Sequence, residues 1–247
     1  MISRFDTYDF IANLIPGLVF LWCVQKLTAL FSWNFVLNFD SELIGVSILI
    51  AIGYVTGLLL QGVSQGFVEK HVLKRLWKGF PSDRWLLSDD KHFSSGYKKR
   101  LLELITEQFK VSTEPDIPNT CSPDCARELC LKKNHELFYL CYHKVGDSNQ
   151  RPLIFNAQYG LFRCLLTMFA ILAVASLGGL ILAAAVWCNR EKALSFGVWT
   201  SLFAISAIIS YARCKKRGED FAQSIFDLFI GNASNKSLTN EKPQNIR

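Results

Sequence analysis

Four cysteines and two histidines lie within one stretch of this chain, at Cys121, Cys125, Cys130, Cys141, His135 and His143. Thiolates and imidazoles are the usual ligands of structural zinc, but the spacing here does not form the paired short loops that such sites use. Cys130 and Cys141 also share an apolar helical stripe with Ala126, Leu129, Leu137 and Leu140. The cysteines therefore read as small core residues, with no metal expected. Disulfides are disfavoured as well if this part of the chain faces the cytoplasm. His71 and His92 have no partner motif, and the sequence has no glycine-rich phosphate loop, zinc-protease helix, nucleophile elbow or carboxylate pair. No enzymatic activity and no cofactor are expected.

The other chemistry on offer is electrostatic. Lys74, Arg75 and Lys78 form one basic cluster and Lys98, Lys99 and Arg100 another, in a chain of net charge +6 and pI near 8.9. Such clusters suit phosphate contacts, whose strength falls as salt rises. The plainer reading is a solvated or lipid-headgroup-facing surface.

The elements that carry these residues are set by hydrophobicity. Half of the 247 residues are apolar and the mean hydropathy is +0.20, which points to a few membrane spans plus one soluble part. From Cys164 to Trp187 the chain is uncharged, longer than the roughly 20 residues a helix needs to cross about 30 Å of hydrocarbon. Phe10 to Phe31, Leu43 to Leu60 and Ala193 to Ala212 are three further candidate spans. No cleaved signal peptide is expected ahead of the first. Within these spans the polar residues are Ser and Thr, apart from Asn13 near the start of the first span and Gln25 and Lys26 near its end, where a lysine can snorkel toward the interface. A transporter is disfavoured by the lack of a polar site at mid-membrane.

Apolar residues continue at helical spacing past the second span, at Val63, Phe67, Val68, Val72, Leu76 and Trp77, which predicts one helix from about Ser41 to Lys78, stopped by Gly79 and Pro81. Tyr97 to Phe109 predicts an amphipathic helix with Leu101, Leu104, Ile105 and Phe109 on its buried face. Val111 to Thr120 reads as a loop. A further helix is expected from Ser122 as N-cap and Pro123 in the first turn to just before Gly146. Phe221, Ile225, Leu228 and Phe229 predict a short tail helix ending at Gly231, with a polar, disordered end from Asn232 to Arg247.

The expected fold is an all-α membrane protein of four transmembrane helices, with a helical cytoplasmic insert between the second and third. Its parts are a first transmembrane hairpin at 1–63, the insert at 64–158, a second hairpin at 159–212, and a basic amphipathic tail helix with a disordered C-terminus at 213–247. Sixteen Lys and Arg fall between Gln61 and Arg163 and seven from Arg213 onward, against zero and two in the short connections. The positive-inside rule then places the insert and both termini in the cytoplasm.

Small residues recur along the spans. Gly53-x-x-x-Gly57 and Gly62-x-x-x-Gly66 lie on the second helix, and Ala175-x-x-x-Gly179-x-x-x-Ala183 on the third. Such rows let helix backbones approach closely, either inside one chain or between copies of it.

Three stretches carry a resemblance. They are Phe5-Asp6-x-Tyr8-Asp9-Phe10 leading into Leu14-Ile15-Pro16-Gly17, the segment Phe155-Asn-Ala-Gln-Tyr-Gly-Leu-Phe-Arg163, and the aromatic tail around Phe221 to Phe229. In these, and in the order of two spans, insert, membrane-entry segment and two spans, the chain resembles small bacterial membrane effectors of anti-phage defence, in particular the channel-forming effectors of Hailong-type systems. The resemblance covers the membrane frame more than the insert. It implies a homo-oligomer in the bacterial inner membrane that conducts ions and depolarises the cell. It also implies control by a cytoplasmic signal, such as single-stranded DNA or a nucleotide made by a partner nucleotidyltransferase. A non-conducting scaffold that holds a cytoplasmic partner at the membrane through the insert is the alternative.

Overall fold

The computed structural model describes residues 4–31, 42–118, 121–145 and 150–240. Every regular element among these is helical: α1 (Arg4–Leu30), α2 (Glu42–Val63), a π-helical segment (Ser64–Leu73), α3 (Lys74–Leu76), α4 (Pro81–Arg84), α5 (Ser95–Phe109), α6 (Pro123–Val145), α7 (Gln150–Ala185) and α8 (Arg190–Asn240). Four helical stretches are long and apolar enough to cross a membrane: Ala12–Leu30, Ile44–Leu76, Gln150–Ala185 and Arg190–Ala233. The chain forms two compact units, one of residues 1–73 with 156–217 and the other of residues 74–155 with 218–247.

In the first unit, small residues set the packing of α1 on α2. A Cβ on Gly17 would overlap the carbonyl of Gly53, and one on Gly57 would overlap the carbonyl of Asn13, so both helices need glycine where they cross. Gly53 does the same for the side chain of Leu18, at 2.5 Å from where its Cβ would stand. Gly179 of α7 accommodates the ring of Phe196 of α8 in the same way, and Ala183 is fully buried. Gly62 and Gly66, by contrast, face open space. The interior is Cys23, Leu27, Leu60, Met168, Leu172, Phe196 and Phe203, with Phe31 stacked obliquely on Phe196 at 4.8 Å. Outside, large apolar side chains are exposed along α2, α7 and α8, among them Ile44, Leu59, Val174, Val198 and Ile208 at 61–72%. Apolar side chains outside as well as inside are what a hydrocarbon solvent allows.

The second unit has an ordinary core. Leu101, Leu104 and Ile105 of α5 meet Leu137, Phe138 and Cys141 of α6 and Ala222, Ile225, Phe226 and Phe229 of α8, around a fully buried Trp85. Ser94 caps α5 by accepting from the Tyr97 amide at 3.2 Å. Ser122 caps α6, as the sequence predicts, by accepting from the Cys125 amide at 3.3 Å.

Four features differ from expectation. The helix running on from α2 changes to π winding between Ser64 and Leu73 and ends at Leu76; Lys78 and Gly79, at φ of 54° and 107°, then turn the chain. A short α4 follows, started by Pro81. Instead of stopping at Gly231, α8 is continuous from Arg190 to Asn240, because no proline lies between Gly231 and Asn240 and a lone glycine costs only about 1 kcal/mol in a helix. Residues 232–240 of the expected disordered end are therefore helical, and 241–247 lie outside the described residues. Finally, Cys121 and Cys125 are joined in a disulfide, contrary to the core-cysteine reading. Cys121 lies just before the Ser122 cap and Cys125 in the first turn, which brings their Cα atoms to 5.8 Å.

Candidate functional site

Neither Glu69 nor Arg163 falls within the spans read from the sequence, which stop at Leu60 and start at Cys164. The helices run on through both. The π winding of Ser64–Leu73 admits one more residue per turn than an α-helix has and re-aims the side chains it carries; such segments recur at functional sites. Here it presents Ser64 and Glu69 to α7. Arg163, only 4% exposed, makes an ion pair with Glu69 through Nη1 and donates from Nε to Ser64 Oγ at 3.1 Å. Its guanidinium lies 5.2 Å from the centre of the Tyr159 ring. One turn earlier on α2, Gln61 Oε1 accepts from Cys164 Sγ at 2.6 Å, and Thr167 Oγ1 donates to the Arg163 carbonyl at 2.9 Å.

A cavity of about 480 Å³ opens beside the pair. Four amide side chains, those of Asn13, Gln61, Gln65 and Asn156, line it with Glu69 and Arg163. Amides both donate and accept, and a carboxylate and a guanidinium on the same wall cancel in net charge, so the cavity is strongly polar without favouring one sign. It lies where the apolar runs of α1, α2 and α7 give way to polar residues. A charge removed from water is costly unless paired, and an ionisable pair at the edge of apolar helices is a functional candidate by default.

The basic residues singled out in the sequence belong to the second unit. Lys74, Arg75, Lys78, Lys99 and Arg100 are exposed. Lys98 is not: at 9% exposure it turns inward and donates to the carbonyls of Leu87 and Asp90, both at 2.5 Å. Its ammonium is thus committed to holding the 87–90 turn on α5. The groove of about 900 Å³ over α5 is lined by Lys91, Lys98 and Lys99 but equally by Asp90, Glu103 and Glu107. That balance makes it a poor anion trap. Elsewhere, Arg127 pairs with Asp89 at 2.7 Å, and this hydrogen bond holds the Asp89 carboxyl below its usual range.

No protein family, no characterised protein and no solved structure matches this chain.

Among the described residues, no three His, Cys, Asp or Glu side chains are arranged to hold a metal ion. Burial in the core pushes the Cys141 thiol up to about 12, far from the thiolate a metal would need. Asp83, buried, accepts from Ser82 Oγ at 2.7 Å and contacts His135 Nδ1 at 3.0 Å through the same oxygen, while Asn134 donates to its carbonyl at 2.8 Å. The pairing orients the imidazole, but the serine lies on the aspartate's side and not at the other ring nitrogen, where a nucleophile would be needed. Its geometry ties α4 to α6.

The small-residue rows divide. Gly53, Gly57, Gly179 and Ala183 pack inside the first unit, while Gly62 and Gly66 do not. What sequence reading missed is the Glu69–Arg163 pair. A signal was there: Glu69 is the only acid between Glu42 and Asp83, on a helix extension otherwise rich in bases.

Proposed function

We propose that this chain is a multi-pass membrane effector of the bacterial inner membrane, that its copies assemble into an ion-conducting pore, and that a cytoplasmic signal such as an oligonucleotide controls it. The observation that carries this reading is the pairing of Glu69 and Arg163 beside a polar cavity, inside a unit whose outer surface is apolar. A helical hairpin serving only as an anchor has no use for a buried ion pair. The open, small-residue face of Gly62 and Gly66 suits close approach by a second copy. Depolarisation in anti-phage defence, and a nucleotidyltransferase partner, come from the resemblance. Exposed Lys74, Arg75, Lys78, Lys99 and Arg100 are the residues left to meet an anionic signal.

Ion flux from liposomes containing the purified protein, with the size of the detergent-solubilised complex measured on the same preparation, tests the pore. Flux from a defined oligomer supports it. Silent liposomes together with unchanged membrane potential in expressing cells, under each trigger tried, would reject it. The second reading, a scaffold, is favoured by the separate core of the second unit, which needs nothing from a pore. Under that reading induced expression is harmless and a cytoplasmic protein is retained through residues 82–154.

A further inference from the structure

We propose that the cavity beside Glu69 and Arg163 binds the headgroup of a zwitterionic phospholipid, with the phosphate taken by Arg163 and the ammonium by Glu69. Three observations converge on that ligand class. First, both charges stand on one wall of the cavity, and Arg163 is almost wholly buried. An anion alone would meet the Glu69 carboxylate and a cation alone the Arg163 guanidinium, whereas a group carrying both charges can satisfy each at once. Second, the remaining polar walls are the amides of Asn13, Gln61, Gln65 and Asn156, which serve phosphate oxygens as donors and ammonium protons as acceptors. Third, the wall does not stay polar. Leu58 lines the cavity and is 44% exposed, and exposed apolar surface continues along α2 at Val55 and Leu59. A polar pocket opening onto an apolar helix face matches an amphiphile better than a soluble zwitterion. At about 480 Å³ the cavity falls within the usual range for a small-molecule site, roughly 300–1,000 Å³. Arg163 keeps its Nε bond to Ser64 while its outer nitrogens pass from Glu69 to phosphate, so binding replaces one ion pair by two and does not strand a charge. The inference requires the membrane setting but not the pore.

The test is lipid retention by the full-length protein in mixed micelles, read by native mass spectrometry, with phosphatidylethanolamine and phosphatidylglycerol at equal mole fraction. About ten-fold preference for phosphatidylethanolamine is expected, corresponding to about 1.4 kcal/mol. Glu69→Gln should abolish the preference by removing the ammonium's partner. Gly160→Leu should reduce retention by filling the cavity. The nearest atom to a Cβ at Gly160 is Gln61 Nε2 at an ordinary 3.6 Å, so a side chain can start there without displacing backbone, and thermal unfolding of the variant checks that the fold is kept. Equal binding of the anionic lipid, or a preference unchanged in both variants, would overturn the proposal. Soluble glycerophosphoethanolamine competing as strongly as the lipid would overturn the lipid assignment. Since liposome flux is a separate readout, failure here leaves the pore reading standing, and failure of the pore leaves this one.

Discussion

Arg163 and Lys98 are both basic side chains withdrawn from solvent, and the two units of the molecule deal with them differently. Lys98, in the second unit, ends on the carbonyls of Leu87 and Asp90, eleven and eight residues before it in the chain; its ammonium is a clamp for local backbone. Arg163, in the first unit, is paired with an acid brought from a different helix by a π-helical segment. A lysine on carbonyls can be replaced at the cost of a few hydrogen bonds. An arginine paired across helices cannot lose its partner without leaving a buried charge. A related contrast runs through the packing: the first unit adds backbone contact at glycines to its apolar interior and carries apolar residues outside as well, whereas the second keeps its aromatic and aliphatic side chains inside.

The largest effect that would break this contrast is at the glycines. Gly57→Leu should prevent α1 and α2 from meeting and leave no monodisperse protein after solubilisation, a loss beyond the roughly 1–3 kcal/mol of ordinary overpacking, because the new Cβ would overlap backbone, the Asn13 carbonyl, and not a yielding side chain. A normally folded Gly57→Leu protein by size-exclusion chromatography and thermal unfolding would refute the close crossing. Next in size is Arg163→Met, expected to cost about 3–5 kcal/mol by stranding Glu69, with the double variant Arg163→Met/Glu69→Met recovering most of it. Thermal unfolding of the two singles and the double gives the coupling, and additivity would show that the pair does not matter. Lys98→Met should cost about 1–3 kcal/mol, the worth of carbonyls left without a donor, and should leave any oligonucleotide binding intact.

Cys141 sharpens the comparison through pH. Its folded-state value is raised to about 12 because burial disfavours the thiolate. The stabilisation from keeping the thiol neutral is therefore fully present below the unfolded value near 9 and is lost as pH rises from about 9 to 12. Urea unfolding of the second unit followed by Trp fluorescence should lose about 1.4 kcal/mol per pH unit in that window from this group alone. Cys141→Ala should lose that part of the slope, and an identical slope in the variant would show that Cys141 ionises freely. Smallest is Gly62→Ala, expected to stabilise the isolated chain by up to about 1 kcal/mol, because nothing lies within 4 Å of its Cβ position and alanine is favoured over glycine in a helix. If Gly62 faces a second copy, a bulkier Gly62→Leu should reduce the oligomer's size while leaving the fold unchanged.

Hydrophobic runs and capping residues made much of the fold legible. The uncharged stretch after Arg163 admits only a long helix, and Ser122-Pro123 and Gly79 mark helix ends by local chemistry. The buried face of α5 was readable from spacing because Leu101, Leu104 and Ile105 return to one side every three to four residues. The continuity of α8 past Gly231 was not, since a lone glycine permits a helix to end without requiring it. Residues such as Lys98 read as surface charge because side-chain direction at a given position depends on what lies across the turn.

By itself, then, the chain's order of apolar and polar residues determined four long helices, the limits of α5 and α6 and where small residues could allow close packing, because each follows from contacts within a few residues. Only tertiary structure decided which glycines meet a neighbour and which face open space. It alone joined Glu69 to Arg163 beside a polar cavity. No local pattern encodes that pairing: it arises when α7 passes the π-helical segment at the height of Ser64, and the cost of an unpaired buried charge holds it there.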